Sequence, residues 1–253
     1  MAKRSYIGAT QIEKAFIKTF NEIAYRHNPW TVWTDFVNMA ATSIANAVDR
    51  EEARWKRREQ SYLASVKKYE RDETDKIIRL FSLTAQALEE NPAQDFLGKL
   101  YMNLDFGSSW SGQFFTPWHV SEVMARMALT EAIHTEIATK GFASVCDPAC
   151  GAGCMLLAFA DVCRNVEKFN YQERILFVAQ DIDRVVAQMC YIQLSLLGCA
   201  GYVVVGNTLT QPQTGPLLFP EEAEGTELWL TPMFFNETWG MRRLFASFES
   251  LFG

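Results

Sequence analysis

The sequence predicts an α/β protein with a doubly wound, mostly parallel sheet, preceded by an all-helical N-terminal domain. Two observations support this fold class. Apolar residues recur with helical spacing up to about residue 110, and beyond the Gly/Ser-rich link "FGSSWSG" short apolar strands alternate with helices. Strands that alternate with helices form parallel sheets with helices on their faces. We therefore expect a helical domain over residues 1–110 and a sheet domain over residues 111–253.

The first half of the chain has the 3.6-residue apolar period of packed helices. One helix is predicted by Ile12, Ala15, Phe16, Phe20 and Ile23. A second begins after the Asn28-Pro29 break, and another is expected around Asp95 to Asn103. Between them, residues 50–76 are rich in mixed charge with aromatics seven residues apart, namely Trp55, Tyr62 and Tyr69. We expect a packing stripe there, although a nucleic-acid contact stays open as the alternative.

The second half alternates between the two kinds of element. Helices are expected over Trp118 to Thr139, Gly153 to Val166 and Arg184 to Leu197. Strands are expected at Ala143 to Cys146, Ile175 to Gln180, Tyr202 to Val205 and Leu228 to Leu230. This alternation gives the predicted sheet its parallel strands.

Composition limits the function classes. The net charge of -6 gives no overall attraction to nucleic acid or membrane. No apolar run is long enough to span a bilayer, and the N-terminus lacks the apolar core of a signal peptide, so we expect a cytoplasmic protein without membrane contact. Three of the six cysteines fall four residues apart, at Cys146, Cys150 and Cys154. This spacing does not match zinc or iron–sulfur motifs, so we expect core thiols and no metal.

The loop "DPACGAG" stands between a strand and a helix. Gly151 and Gly153 allow a tight turn and let a ligand approach the backbone, whose N–H groups face it at the helix N-terminus. No Gly-Lys-Ser/Thr follows, which excludes a Walker-type phosphate site. Asp181 ends the next strand about thirty residues on, the length of a βαβ unit, where a carboxylate accepts hydrogen bonds from a ribose. Together these features predict a nucleoside-binding fold.

Four motifs then occur in a familiar order: "GQFFTP" at Gly112 to Pro117, "DPACGAG" at Asp147 to Gly153, "AQDID" at Ala179 to Asp183 and "GNTL" at Gly206 to Leu209. The chain resembles the cofactor half of N6-adenine-specific DNA methyltransferases, particularly the modification subunits of type I restriction systems. The resemblance covers roughly residues 93–209. It implies a Rossmann-like sheet that binds S-adenosylmethionine.

The resemblance also assigns roles to residues of those motifs. Thr116, with the neighbouring backbone at Phe115 and Pro117, would hold the methionine carboxylate of the cofactor. Asp147 would orient the loop and the cofactor's amino group.

In the same loop, Ala149, Gly151 and Gly153 would let the methionine portion approach the backbone. Asp181 would bind the ribose hydroxyls, and Ile182 would pack on the adenine. Asn207 occupies the position where the family has Asp. Its side-chain oxygen would accept a hydrogen bond from the adenine amino group.

The sequence departs from the family at the catalytic motif. The family has Asn-Pro-Pro-Tyr or -Phe after its fourth strand, where it holds a flipped adenine against the methyl donor. Here the corresponding stretch is "LTPMFF", so Thr231, Pro232 and Phe234 are the candidate catalytic residues of a degenerate motif. An ordinary strand and loop is the alternative. We expect a truncated or degenerate enzyme.

The resemblance further implies that the fourth strand lies beside the first strand and beside later strands that follow in the family. Leu228–Leu230 would then become a sheet edge, which invites a homodimer or a partner chain. No Lys or Arg occurs between Arg184 and Arg242, so DNA contact would need a partner subunit. Two functions result: a methyltransferase that a partner completes, or a non-catalytic accessory protein that binds S-adenosylmethionine.

Overall fold

A computed structural model describes residues 9–106 and 115–252 of the chain. The Gly/Ser-rich link after Phe106 and the predicted domain boundary at residue 110 lie outside these residues. So do Gly112 to Phe114 of the first predicted motif. Within the described residues no helix is both long and apolar enough to cross a membrane.

The described residues form eleven α-helices, one short 3-10 helix and four strands, which confirms the predicted α/β class. The first seven helices are α1 Gln11–Ala24, α2 Pro29–Val48, α3 Glu52–Val66, α4 Arg71–Glu90, α5 Phe96–Asn103, α6 Trp118–Ala128 and α7 Glu131–Lys140. Then follow β1 Ala143–Asp147, α8 Cys154–Asn165, α9 Tyr171–Arg174, β2 Ile175–Asp181, α10 Arg184–Leu196 and β3 Ala200–Val205. The chain continues with β4 Glu227–Leu230, the 3-10 helix Pro232–Phe235 and α11 Glu237–Phe252.

Local sequence signals explain where the helices begin and end. Thr10 and Glu13 form a reciprocal capping box at α1, with both N–H to side-chain oxygen distances at 3.1 Å. Asn28 caps α2, whose first residue is Pro29. The predicted helix Trp118 to Thr139 is in fact two helices, because the chain leaves the helical conformation at Leu129 and Thr130.

The four strands form one sheet in the order β1-β2-β3-β4. β1 pairs with β2 and β2 with β3 in parallel, as the alternating pattern predicted. β3 pairs with β4 antiparallel, with Tyr202 opposite Leu230 and Val205 opposite Glu227.

The predicted position of the fourth strand beside the first was therefore wrong. β4 adds to β3 at the far side of the sheet, and β1 forms the opposite edge. The physical reason is the long excursion of residues 206–226, which returns the chain to β3 in the reverse direction. A short apolar strand such as "ELWL" carries no sequence signal for its direction or its neighbour.

Two apolar clusters lie on the two faces of the sheet. The larger one is continuous from the first helices to α8 and α10, and joins Phe16, Trp33 and Phe96 to Leu156 and Phe177. The smaller one lies on the other face, beneath the 3-10 helix and α11, and consists of Leu176, Val178, Ala200, Tyr202, Val204, Leu228, Leu230, Phe234 and Trp239. The early helices thus share a core with one sheet face.

Candidate functional site

Two carboxylates stand at the carboxyl ends of adjacent parallel strands. Asp147 is the last residue of β1 and Asp181 the last of β2. Asp181 accepts the Gly151 N–H through Oδ2 at 2.8 Å and the Asp183 N–H through Oδ1 at 2.9 Å. The glycine loop and the second strand end, which the sequence predicted to cooperate, are therefore joined by a direct hydrogen bond.

The loop between β1 and α8 has a conformation that requires glycine. Gly151 and Gly153 have φ values of +52° and +94°, which L-residues rarely adopt. A Cβ on Gly153 would lie 2.7 Å from Sγ of Cys190, and one on Gly151 would lie 3.2 Å from the Phe115 ring. The Cys150 N–H donates to the Gln180 carbonyl at 3.0 Å and fastens the loop to β2.

The electrostatics of the strand ends are those of a crowded acidic cluster. Burial raises the pKa of Asp147, and the nearby Asp181 carboxylate raises it further, while a hydrogen bond from the Ala149 N–H opposes the shift. Burial, and then the charge of Asp183, raises the pKa of Tyr101 to about 12. This negative charge suits hydroxyl or ammonium donors and disfavours phosphate.

The end of β3 completes the same edge. The Gly206 N–H donates to the Asp181 carbonyl at 2.9 Å, and Thr208 Oγ1 donates to the Pro148 carbonyl at 2.5 Å. Asn207 is half-buried, and its Oδ1 accepts the Leu209 N–H at 2.9 Å. The structure thus brings the "GNTL" motif against the glycine loop.

Ile182 follows Asp181 and has 68% of its surface exposed. An aliphatic side chain held in solvent beside two carboxylates provides a flat apolar contact for a ligand.

Phe115 and Thr116 approach from the start of α6. The Phe115 ring lies against Gly151 and packs on Tyr101 with ring centroids 5.4 Å apart. Phe115, Thr116 and Pro117 line a cavity of about 460 Å³ together with Asp95 and Cys154, at the N-terminus of α8. Asp147 and Asp181 do not line this cavity, so the structure brings the first motif to the loop but not to the carboxylates themselves.

Two glutamines that the sequence did not single out support the site. Gln180 is buried, donates to the Gly206 and Gln211 carbonyls at 3.3 and 2.8 Å, and accepts the Gln213 N–H. It therefore fixes the segment that follows β3.

Gln193 on α10 is fully buried and makes three hydrogen bonds. Its Nε2 donates to Asp95 Oδ1 at 2.8 Å and to the Ala152 carbonyl at 2.9 Å, and its Oε1 accepts the Leu97 N–H at 3.1 Å. It ties α5 and α10 to the glycine loop. An amide inside the apolar helix "VVAQMCYIQLSL" is the signal that would have pointed to it.

The structure does not bring the predicted catalytic residues to this edge. Because β4 is antiparallel, Thr231 lies at the amino end of β3, beside Gly201. Its buried hydroxyl donates to the Cys199 carbonyl at 2.7 Å and accepts the Gly201 N–H at 3.0 Å. Phe234 is buried in the smaller apolar cluster, and Pro232 begins the 3-10 helix. This placement speaks against Thr231, Pro232 and Phe234 as a catalytic motif and gives them structural roles.

The cysteines of the "DPACGAG" region differ in their surroundings. Cys146 is exposed on β1, whereas Cys150, Cys154, Cys163, Cys190 and Cys199 are buried. Cys154 accepts a hydrogen bond from the Ser121 hydroxyl at 3.3 Å. Burial raises the pKa of the Cys154 thiol to about 12, which favours the neutral thiol.

Comparison with known proteins is consistent with this geometry. A family model described as N-6 DNA methylase matches residues 93–248, which is more than half of the chain. Neither a curated protein nor a solved structure gives a significant match. The matched region contains both carboxylates, the glycine loop and all four strands.

Proposed function

Because this chain belongs to the N-6 DNA methylase family, we propose that it binds S-adenosylmethionine at the carboxyl ends of β1, β2 and β3. The observation that carries the proposal is the hydrogen bond between Gly151 and Asp181, which makes the loop and the second strand end one structural unit. The cofactor supplies a methyl sulfonium for transfer to a nucleophilic nitrogen.

The residues fit the nucleoside end of the cofactor. Each oxygen of the Asp181 carboxylate accepts one backbone N–H and keeps a lone pair for a ribose hydroxyl. The exposed side chain of Ile182 would pack on the adenine, and Asn207 Oδ1 would accept from the adenine amino group.

The glycine loop fits the methionine end. Gly151 leaves the loop backbone without a side chain, and the Phe115 ring lies 3.2 Å from the position that a Cβ would take. The ammonium group of the cofactor would contact Asp147 and the backbone of Ala149 and Gly153. Its carboxylate would contact Thr116.

We also propose that the sheet is part of a doubly wound, Rossmann-like methyltransferase domain over residues 111–253, with a helical domain before it. Helices lie on both of its faces, α8 and α10 on one and α11 on the other. The order of the four sequence motifs is the reason for proposing a relation to the modification subunits of type I restriction systems.

For catalysis we propose an adenine-specific DNA methyltransferase-like protein that is incomplete without a partner subunit, through which DNA would be bound. The placement of Thr231 at the amino end of β3 supports this. The same observation favours the second candidate, a non-catalytic accessory protein that binds the cofactor. Methyl transfer by a complex with a partner subunit would distinguish the first from the second.

Calorimetric titration of S-adenosylmethionine and of its demethylated product tests cofactor binding. The variant Asp181→Ala removes the ribose acceptor, and we expect affinity to fall by roughly 1.5–3 kcal/mol, the range for a hydrogen bond to a charged group. The control Asp75→Ala removes an exposed carboxylate of α4 and is expected to bind as the wild type does. Absence of binding by folded wild-type protein would refute the proposal.

A further inference from the structure

A buried amide and a carboxylate connect the early helices to the glycine loop. Gln193 on α10 has no exposed surface, and its Nε2 donates both to Asp95 Oδ1 and to the Ala152 carbonyl, at 2.8 and 2.9 Å. Its Oε1 accepts the Leu97 N–H at 3.1 Å. The two ends of the amide therefore have partners of opposite kind, which fixes the orientation of the side chain.

The sequence of α5 leaves room for the Asp95 carboxylate. Asp95 caps this helix, since its Oδ1 also accepts the Gly98 N–H at 2.8 Å. A Cβ on Gly98 would overlap Asp95 Oδ2, so the carboxylate occupies the volume that another side chain at this position would need. Glycine is otherwise unfavourable in a helix. Its presence here allows the carboxylate to lie beside Gln193.

The loop backbone is held from two sides. On the sheet side, Gln180 and Asp181 accept N–H groups of the loop. On the side of the helices, Gln193 donates to the Ala152 carbonyl. This carbonyl and the Gly153 N–H belong to one planar peptide group and point in opposite directions. Gln193 therefore fixes the peptide group that ends the loop and begins α8.

The same carboxylate borders the cavity beside the loop. Asp95 lines the cavity of about 460 Å³ together with Phe115 and Thr116. Burial raises the pKa of Asp95, while the hydrogen bonds from Gln193 and from the Gly98 N–H oppose the shift. Asp95 and Gln193 thus lie on the side of the loop that the proposed function assigns to the methionine end of the cofactor.

We propose that Asp95 and Gln193 are positioning residues for the glycine loop. Asp95 orients the amide of Gln193, and this amide holds the peptide group between Ala152 and Gly153 in the conformation that receives the methionine end of the cofactor. The statement about the cofactor rests on the proposed function, whereas the ordering of the loop needs no ligand. The helices before the sheet contribute to the site in this way, through α5.

Amide hydrogen exchange of the full chain, followed by NMR, tests the ordering of the loop without ligand. Gln193→Met keeps the size of the side chain but removes its three hydrogen bonds, and we expect the Gly151 and Gly153 N–H groups to exchange at least tenfold faster. The amides of β2 are expected to exchange as in the wild type.

The matched control is Gln188→Met on the same helix. Gln188 is 1% exposed, and among the described residues its Nε2 has no hydrogen-bond partner. We expect this variant to exchange as the wild type does at both loop glycines. Equal exchange at these glycines in the two variants overturns the proposal.

Two variants of Asp95 separate its hydrogen bonds from its charge, and they decide the question if Gln193→Met does not fold. Asp95→Ala removes the acceptor, and we expect the same increase in loop exchange. Asp95→Asn keeps an oxygen that can accept from Gln193 and from Gly98, and asparagine is a good helix cap, so we expect exchange within threefold of the wild type. Wild-type loop exchange in Asp95→Ala contradicts the role of Asp95.

Calorimetry with two ligands tests the effect on the cofactor site. S-adenosylhomocysteine carries both ends of the cofactor, whereas 5′-methylthioadenosine lacks the amino-acid end. We expect Gln193→Met to weaken binding of the first at least tenfold and of the second less than twofold. A general loss of stability would weaken both alike, and that result overturns the positioning role. If the wild type binds neither ligand, the proposed function fails, and the exchange measurement still decides whether the pair orders the loop.

Discussion

At the residue scale, the raised pKa of Asp147 means that its charged form costs the fold stability. Its carboxylate is partly desolvated and lies near Asp181, and both effects raise its pKa. A carboxyl with a raised pKa in the folded state adds stability below its ordinary pKa, and this stability is lost as pH rises through the folded value. At neutral pH the charged form therefore destabilises the fold.

The variant Asp147→Asn tests this. Its side-chain oxygen still accepts the Ala149 N–H, but it carries no charge. We expect a higher melting temperature than that of the wild type at pH 7, and a gain that shrinks as pH falls toward 3.8. Cofactor affinity is expected to fall, because the ammonium loses a charged acceptor. Thermal unfolding monitored from pH 3.5 to 7.5 measures the gain, and a difference independent of pH contradicts the explanation.

Gly153 gives a second residue-scale prediction. An alanine there takes on a left-handed conformation, which costs about 1–2 kcal/mol, and its Cβ meets Cys190 Sγ. We expect Gly153→Ala to lower the free energy of unfolding by at least that much and to weaken cofactor binding.

The matched control is Gly240→Ala on α11, where an added Cβ meets nothing within 4 Å. There we expect a gain of about 0.5–1 kcal/mol from helix propensity. Urea denaturation measures both changes. Equal effects of the two variants would show that the loop conformation is not the cause.

At the element scale, Thr231, predicted to be catalytic, instead connects β3 and β4 through hydrogen bonds. The Thr231 hydroxyl joins Cys199 and Gly201 at the point where β4 leaves the sheet. The variant Thr231→Val keeps the shape but leaves the Gly201 N–H without this acceptor. We expect a loss of about 1–3 kcal/mol in the free energy of unfolding, with unchanged cofactor affinity. If the variant is as stable as the wild type but no longer binds cofactor, Thr231 belongs to the cofactor site after all.

The elements differ in how far the sequence predicted them. β1, α8 and β2 were predicted closely, because their apolar periods are bounded by "DPACGAG" and by Asp181. The same local chemistry predicted that the glycine loop meets the end of β2, as the Gly151–Asp181 hydrogen bond shows, because the carboxyl ends of neighbouring parallel strands lie at one edge. An amide inside an apolar helix marks Gln193 as a candidate, but the partners of Gln180 and Gln193 were not predictable, because they come from distant segments.

At the scale of the whole molecule, the early helices pack directly against the sheet. Arg184 pairs with Glu227 at 2.9 Å and also reaches Asn38 on α2 at 3.3 Å. Arg58 on α3 and Arg184 both lie over the ring of Trp229 on β4. These contacts between residues far apart in sequence explain why β4 pairs with β3, a pairing that local pattern does not encode.

The same architecture predicts that the chain alone transfers no methyl group to DNA. Thr231 lies beside Gly201, and Val205, four residues further along β3, pairs with Asp181. At the rise of a strand, about 13 Å therefore separates Thr231 from the level of Asp181. Transfer requires reacting atoms about 3–3.5 Å apart. We expect no tritium to pass from labelled S-adenosylmethionine to adenine in mixed-sequence DNA, even at saturating cofactor. Incorporation that disappears with Asp181→Ala would contradict this, and would mean that other residues of the chain reach the sulfonium.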